Sequence, residues 1–273
     1  MIGALATART HLAPPSDGAP GGSAGGTDHE IARALAEDAG RLLLDLRRAM
    51  ATQEATEREI KDAGDLESHR FLMEALRRLR PDDAVLSEEG KDDAERLEAS
   101  RVWIVDPLDG TREYGEGRDD WAVHVALAVG GEPVVGAVAL PGLGLILDTG
   151  APPTVPRRSE GSTIHLAVSR SRPPALSMAV AETLGGELSP MGSAGYKAMA
   201  VVTGEVDAYV HGGGQYEWDN CAPAAVALAA GLHASRLDGS PLTYNHADPY
   251  LPDLVICRPE LAPQILEIVG RLI

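Results

Sequence analysis

The chain contains the segment Val105-Asp106-Pro107-Leu108-Asp109-Gly110-Thr111-Arg112, which ends a short apolar run. That run is β-branched and aromatic and predicts a buried strand, which the proline and the glycine then end. Pro107 stiffens the turn, so that Asp106, the Leu108 carbonyl and Asp109 can point toward one place. A set of oxygen ligands suits a hard cation such as Mg²⁺. The segment therefore predicts a metal site at a strand end.

Gly110 and Thr111 add backbone N–H groups and a hydroxyl, which are donors that can hold a phosphate at the start of a helix. An isolated Asp-Gly pair is more often a plain turn with solvated carboxylates. The metal hypothesis therefore depends on acidic residues elsewhere in the chain.

Two further acidic clusters provide such residues. Residues 84–87 predict a second short strand, and Glu88-Glu89-Gly90 follows it. Asp219 precedes the alanine-rich residues 224–230, a predicted helix that stops at Gly231. Taken singly, the glutamates would be a solvated loop and Asp219 would be a helix N-cap. Together with the first segment, they predict a shared cation site.

The three clusters, in this order, resemble the signatures of the inositol monophosphatase superfamily, which are Mg²⁺-dependent, lithium-sensitive phosphatases. The matching residues are Ser87 to Gly90, Trp103 to Thr111 and Trp218 to Ala222. Thr111-Arg112-Glu113-Tyr114 is similar to the Thr-Lys-Glu-Phe of the CysQ branch, the 3′(2′),5′-bisphosphate nucleotidases. Glu113 distinguishes that branch from the inositol monophosphatases. The resemblance covers the chain from Lys61 to Tyr250.

The resemblance implies two Mg²⁺ ions, with a third in some members. The residues that would hold the two ions supply carboxylate or carbonyl oxygens and are Glu88, Asp106, Leu108, Asp109 and Asp219. Asp106 would bridge the ions, and Glu88 with Thr111 would orient and deprotonate the attacking water.

The same resemblance, together with the donors at the metal segment, implies a set of substrate contacts. They are Gly110, Thr111, Ser169, Ser193 and Lys197. Arg118, Arg170 and Arg172 are further candidates for binding a second phosphate group, although a single arginine is more often a solvated surface residue. The implied ligand is a small bisphosphorylated nucleotide.

One segment departs from the family pattern. Many members have a Thr-x-x-Asp segment near the second helix that helps place a third ion or the substrate, whereas residues 61–69 lack the later aspartate. Phe71 stands near that position. Asp65 or Glu67 could substitute, and the alternative is an ordinary acidic residue in the first turn of a helix. A third ion would therefore lack its usual ligand.

Composition limits the partners. The chain carries 41 acidic residues against 24 lysines and arginines, a formal charge of −17, which disfavours binding to a nucleic acid polymer. A small phosphate ester would also be repelled unless bound cations reverse the local field. The sequence has no apolar run long enough to cross a membrane, no signal-peptide pattern and only two cysteines. A cytoplasmic location without a membrane partner is therefore expected. A homodimer is also expected, because members of the family are commonly dimers.

The pattern of elements predicts an α+β fold. Residues 1–26 are expected to be disordered, and a match there to the serine-hydrolase elbow has no preceding strand and carries no function. Residues 27–150 predict an α+β lobe with the metal loop, and 164–273 predict an α/β lobe that supplies Asp219, joined by a linker at 150–163. The resemblance implies a layered α-β-α-β-α sandwich of the inositol monophosphatase/fructose-1,6-bisphosphatase type.

Local patterns also place individual elements. Thr27-Asp28-His29-Glu30 is a capping box that predicts the start of a helix. Residues 121–129, 133–140 and 143–149 predict an antiparallel meander of three strands. The eight histidines show no metal-ligand spacing and are expected to be structural or solvated.

The expected function is removal of the 3′-phosphate of 3′-phosphoadenosine 5′-phosphate to give AMP and phosphate, in the setting of sulfur assimilation. The attack would come directly from a metal-activated water, without a covalent enzyme intermediate. Hydrolysis of inositol monophosphate or fructose 1,6-bisphosphate is the alternative within the same class. A non-catalytic nucleotide or metal sensor is the alternative from another class, and the intact set of predicted ligands argues against it.

Overall fold

The computed structural model describes residues 26–273, so the predicted disordered segment and the serine-hydrolase match lie outside the described residues. The α-helices of this part are α1 (Asp28–Ala51), α2 (Glu57–Leu79), α3 (Thr111–Gly115), α4 (Ala175–Leu184), α5 (Ala194–Thr203), α6 (Glu217–Ala229) and α7 (Ala262–Leu272). Its strands are β1 (Ala84–Ser87), β2 (Arg101–Asp109), β3 (Ala122–Val129), β4 (Glu132–Leu140), β5 (Leu145–Asp148), β6 (His165–Ser169), β7 (Glu187–Met191), β8 (Ala208–His211), β9 (Gln215–Tyr216), β10 (His233–Ser235), β11 (Tyr250–Leu251) and β12 (Leu254–Cys257).

The first two helices begin at capping boxes. The predicted box is confirmed: the Thr27 hydroxyl accepts from the backbone N–H of Glu30, while the Glu30 carboxylate accepts from the backbone of Thr27. Thr56 and Glu59 repeat the arrangement at the start of α2. Each box satisfies backbone N–H groups that the helix itself cannot pair.

The strands form two five-stranded sheets. The first has the order β1-β2-β3-β4-β5, with β1 parallel to β2 and every other pair antiparallel, which confirms the predicted meander. The second has the order β10-β12-β8-β6-β7, and β9 with β11 makes a separate two-stranded pair. The first sheet carries the metal segment.

Strand β2 runs further than the sequence predicted. It does not end at Asp106 but continues through Pro107 to Asp109, which pairs with Ala122 after a register shift. Proline is tolerated inside a strand at such a bulge, because the ladder hydrogen bond it cannot donate is already interrupted there. The bulge lies between Asp106 and Asp109, whose carboxylate oxygens come close together in the structure.

Side chains alternate across the first sheet and define its two covered faces. Trp103 and Val105 pack against α1 and α2, whereas Val102 and Ile104 pack against α5 and α6. Trp121 is also fully buried. Each fully buried large side chain contributes roughly 2 kcal/mol of hydrophobic stabilisation.

The second sheet shows the same alternation. Tyr209 and Ile256 face the middle helices α5 and α6, while Val210 and Val255 face the outer helices α4 and α7. Five layers result, namely α1 and α2, the first sheet, α5 and α6, the second sheet, and α4 and α7. The predicted α-β-α-β-α sandwich is confirmed, whereas the division into two lobes at residues 150–163 stays a prediction.

Helix α6 fits closely between the sheets because its buried residues are small. A Cβ atom on Gly136 of β4 would lie 2.7 Å from the Ala222 carbonyl oxygen, so glycine is required at this approach. Cys221 and Cys257 are both buried and free, as the low cysteine content indicated. No helix within residues 26–273 combines the length and the apolar character needed to cross a membrane.

Candidate metal centre and substrate pocket

Three predicted metal ligands meet at one point. One carboxylate oxygen from each of Asp106, Asp109 and Asp219 lies within 4.8 Å of the other two. Asp106 and Asp109 are 1% and 7% exposed and come from the end of β2, while Asp219 comes from the first turn of α6. Carboxylates this close and this buried repel one another, and a cation between them would remove the repulsion.

Local hydrogen bonds aim these side chains. The backbone N–H of Leu108 donates to Asp106 Oδ1 at 3.0 Å, and that of Tyr216 donates to Asp219 Oδ2 at 2.6 Å. The residue at the N-cap position of α6 is Tyr216, so the interpretation of Asp219 as a helix N-cap is wrong. Asp219 is the third residue of α6, where its second carboxylate oxygen can face the pocket.

Asp109 is held from the opposite side by the start of α5. Its carboxylate accepts from the Ser193 hydroxyl at 2.7 Å and from the backbone N–H groups of Ala194 and Gly195 at 3.0 and 2.5 Å. His124 Nε2 lies 3.2 Å from Asp109 Oδ2. Burial alone would raise the pKa of Asp109, but His124, then the charge of Lys197 and the backbone N–H of Gly195, lower it to about 2.

Glu88 completes the acidic group beside Asp106. Glu88 is exposed to solvent, yet partial desolvation beside the other carboxylates, followed by the charge of Asp219, raises its pKa to about 7. Burial and the neighbouring carboxylates, Glu88 first among them, raise the pKa of Asp106 well above its ordinary value. The Leu108 carbonyl, also a predicted ligand, accepts from the Thr111 hydroxyl at 3.1 Å. All the candidate metal-ligand atoms are oxygens, which fits Mg²⁺.

Asp65 joins this site from the interior of α2. The Thr111 hydroxyl is 3.2 Å from Asp65 Oδ1, so the alternative of an ordinary acidic residue in a first helical turn is wrong. Burial, and then the charge of Glu89, raises the pKa of Asp65 to about 6. Glu67 instead forms a surface ion pair with Arg70 at 3.0 Å.

A pocket of about 510 Å³ opens beside the carboxylates, between the metal segment and the second half of the chain. Four of the predicted substrate residues line it, namely Gly110, Ser169, Ser193 and Lys197. Asp109 and Asp219 form part of its wall, so the pocket and the acidic cluster are continuous.

Lys197 is buried and hydrogen-bonded to the protein, unlike an exposed phosphate-binding lysine. It is 6% exposed, and its Nζ donates to the Gly192 carbonyl at 2.7 Å and to the Ser193 carbonyl. The ammonium also lies 5.4 Å from the centroid of the Tyr209 ring. Burial lowers the pKa of Lys197, while the charge of Asp109 opposes that shift. Lys197 therefore shapes the wall that carries Ser193.

The arginine candidates separate into two groups. Arg118 and Arg170 both form ion pairs with Asp120, so they stabilise the segment just before β3. Arg172 lines the pocket, and so does Arg112, which the sequence marks only as part of a family signature. Neither Arg112 nor Arg172 forms an ion pair with any residue from 26 to 273.

Two histidines also contribute to the site, although their spacing gave no signal. His124 is fully buried; its Nδ1 lies 2.9 Å from the Trp218 carbonyl oxygen, while its other nitrogen faces Asp109. His211 lines the pocket, and burial lowers its pKa to about 4. Only the tertiary fold brings His124 to Asp109 and His211 to the pocket.

Comparison with known proteins identifies the family. The family model described as "Inositol monophosphatase family" matches residues 27–272. A Mycobacterium tuberculosis protein named 3′-phosphoadenosine 5′-phosphate phosphatase is 52% identical over 238 residues, covering 84% of this chain and 88% of its own. The Escherichia coli 3′(2′),5′-bisphosphate nucleotidase CysQ is 33% identical over 200 residues, covering 69% of this chain and 81% of its own.

The fold is shared with solved structures. Inositol monophosphatase II from Staphylococcus aureus superposes with a TM-score of 0.72 at 21% identity, covering 87% of this chain and 91% of its own.

Proposed function

The chain belongs to the inositol monophosphatase family, and we propose that it removes the 3′-phosphate of 3′-phosphoadenosine 5′-phosphate, leaving AMP and phosphate. The proposal rests on the buried meeting point of Asp106, Asp109 and Asp219 next to a pocket of substrate size. Two relatives with 50% and 52% sequence identity are named 3′-phosphoadenosine 5′-phosphate phosphatase.

The family is metal-dependent, and we infer that Mg²⁺ is the metal. Glu88, Asp106, Asp109, Asp219 and the Leu108 carbonyl would hold two ions, because together they offer only oxygen ligands and surplus negative charge. Bound Mg²⁺ supplies positive charge opposite the phosphoryl oxygens and makes water more acidic.

The protein side chains account for the proton and for orientation. Glu88 lies beside Asp106 at the acidic cluster, and its carboxylate would take the proton of the attacking water. Thr111, fixed between Asp65 and the Leu108 carbonyl, would place the attacking water. No serine or cysteine nucleophile is needed.

A second phosphate on the substrate calls for positive charge on the far wall of the pocket. Arg112 and Arg172 line that pocket and keep their guanidinium groups out of ion pairs with other described residues. Guanidinium groups bind phosphate through paired hydrogen bonds. We infer that they hold the 5′-phosphate, and that Ser169 and Ser193 contact the nucleotide.

The deciding experiment compares kcat/KM on three compounds in the presence of Mg²⁺ and after chelation. We expect 3′-phosphoadenosine 5′-phosphate to be preferred over inositol monophosphate and fructose 1,6-bisphosphate, with no phosphate release without the metal. A preference for the inositol ester would replace the nucleotidase proposal. Nucleotide binding without any phosphate release would instead favour the sensor.

Three expectations from the family stay predictions. They are a homodimer, a cytoplasmic location and inhibition by lithium. Measuring the native mass in solution and titrating lithium into the assay would check the first and the third.

A further inference from the structure

A second cavity, of about 300 Å³, lies under the segment that joins the two sheets, and we call it the linker cavity. It is lined by Val155 to Arg158, Ala230 to Leu232 and Arg258 to Glu260. Ala230 caps the C-terminal end of α6, whose first turn carries Asp219. At ~1.5 Å of rise per residue, the cavity lies roughly 16 Å from Asp219, so it is separate from the substrate pocket.

Three arginines converge on the linker cavity in a chain of net charge −17. Arg258 is only 6% exposed, and it donates to Asp207 Oδ1 at 2.7 Å and to the Pro156 carbonyl at 2.8 Å. These bonds use its Nε and Nη1, and its Nη2 bonds to no residue in the part of the chain described.

Asp207 cannot satisfy both Arg258, which is buried, and Arg158, which is half-buried. Its Oδ2 accepts from the backbone N–H of His165 at 3.0 Å, and Arg158 Nε stays 3.6 Å away from that oxygen. Arg158 Nε is buried, and within residues 26–273 it has no hydrogen-bond partner. Two guanidinium groups thus share one carboxylate, and a buried donor is left without an acceptor.

The rim adds charge of both signs. Arg157 is exposed, lines the cavity and is in no ion pair with the described residues, and the exposed Glu260 lines the same cavity. Three guanidinium groups therefore face two carboxylates, Asp207 and Glu260. An acceptor with several oxygens and negative charge would complement these guanidinium groups, and a tetrahedral oxyanion has both properties.

We propose that the linker cavity binds a small tetrahedral oxyanion, either free phosphate or sulfate or the phosphate group of a small molecule. The guanidinium groups of Arg157, Arg158 and Arg258 hold it, with Arg258 fixed in place by Asp207. The site is independent of the metal centre and of the phosphatase reaction.

Calorimetric titration of the metal-free full-length chain with inorganic phosphate tests the site, because the acidic metal centre repels anions when no cation is bound. We expect saturable binding that depends on Arg157. Arg157→Gln weakens phosphate binding roughly tenfold, the loss of one charge-assisted hydrogen bond, and Glu260→Gln strengthens it. Arg118→Gln, at an arginine that pairs with Asp120 and lines neither cavity, leaves it unchanged.

Titration with sulfate and with AMP separates the sources. Equal binding of phosphate and sulfate with weaker AMP indicates a free oxyanion, whereas tighter AMP indicates a phosphate carried by a small molecule. The proposal is overturned if no saturable binding occurs, if Arg157→Gln leaves it unchanged, or if Arg118→Gln abolishes it. Circular dichroism and the melting temperature of each variant check that it is folded.

Discussion

The backbone N–H of Gly195 donates to Asp109 Oδ2 at 2.5 Å, so the first turn of α5 fixes a predicted metal ligand at the end of β2. The contact requires glycine, because a Cβ atom there would lie 1.9 Å from His124 Nε2. A residue without a side chain therefore keeps Asp109 and His124 in place.

We expect Gly195→Ala to lower the free energy of unfolding by about 1–3 kcal/mol, because the added methyl must displace a buried ring. It should also weaken Mg²⁺ binding, since Asp109 moves with that ring. Urea unfolding and a metal titration measure the two effects. Gly270→Ala in α7 is the matched control, because its added methyl meets no atom within 4 Å and should stabilise the helix.

Asp106→Asn tests the metal centre. Phosphate release should fall by roughly a thousandfold or more, because the central carboxylate is lost. The melting temperature of the metal-free protein should rise, since burial and the neighbouring carboxylates disfavour the charged form of Asp106. Asp82→Asn, at an exposed turn, should change neither property. Unchanged turnover in Asp106→Asn would refute the metal-centre assignment.

The stability of the metal-free protein should depend on pH. Desolvation first, and then neighbouring carboxylates, raise the pKa of Glu88 to about 7 and those of Asp65 and Asp219 to about 6. A carboxyl with a raised folded-state pKa binds protons on folding, so stability is highest below its unfolded pKa and falls as pH rises. The melting temperature should therefore drop between about pH 4 and pH 7 and then level off. Saturating Mg²⁺ should flatten this slope, and a slope that Mg²⁺ leaves unchanged would contradict it.

Arg172→Gln tests the second phosphate site. On 3′-phosphoadenosine 5′-phosphate kcat/KM should fall roughly tenfold, whereas on adenosine 3′-monophosphate, which lacks the 5′-phosphate, it should hardly change. Arg118→Gln is the matched control, because that arginine pairs with Asp120 outside the pocket. Equal losses on both substrates would remove Arg172 from 5′-phosphate binding.

Asp65→Asn tests the positioning of Thr111. The amide can no longer act as a charged acceptor for the Thr111 hydroxyl, so we expect kcat to fall roughly ten- to a hundredfold with little change in KM. Thr111→Ser keeps the hydroxyl and should retain most of the activity. An increase in KM alone would show that Asp65 acts on substrate binding instead.

The parts of the site that could be predicted are those marked by local pattern. Asp109 and Asp219 stand at a strand end and a helix start, Asp106 stands three residues earlier in the first of these segments, and the order of the three motifs identified the family. The layers were implied by the resemblance to that family, and the predicted order of helices and strands was compatible with them.

The remainder depends on tertiary contacts. Strand β7 was missed because Pro190 stands inside it, and proline usually argues against a strand. The two-residue strands β9 and β11 are too short to give a pattern. The positions of His124 behind Asp109 and of Arg112 in the pocket are set by chain segments far away in sequence, so no spacing rule could reveal them.

The meeting of Asp109 with Asp219 joins points separated by roughly 110 residues of chain, and it has a consequence for biosynthesis. Contacts between such distant segments form late, since the entropy of closing a long loop must be overcome before they contribute. An unfinished chain that has left the ribosome only as far as β5 lacks Asp219 altogether. Tight binding of the metal should therefore mark the end of folding, and a nascent fragment should neither capture the ion nor hydrolyse nucleotides.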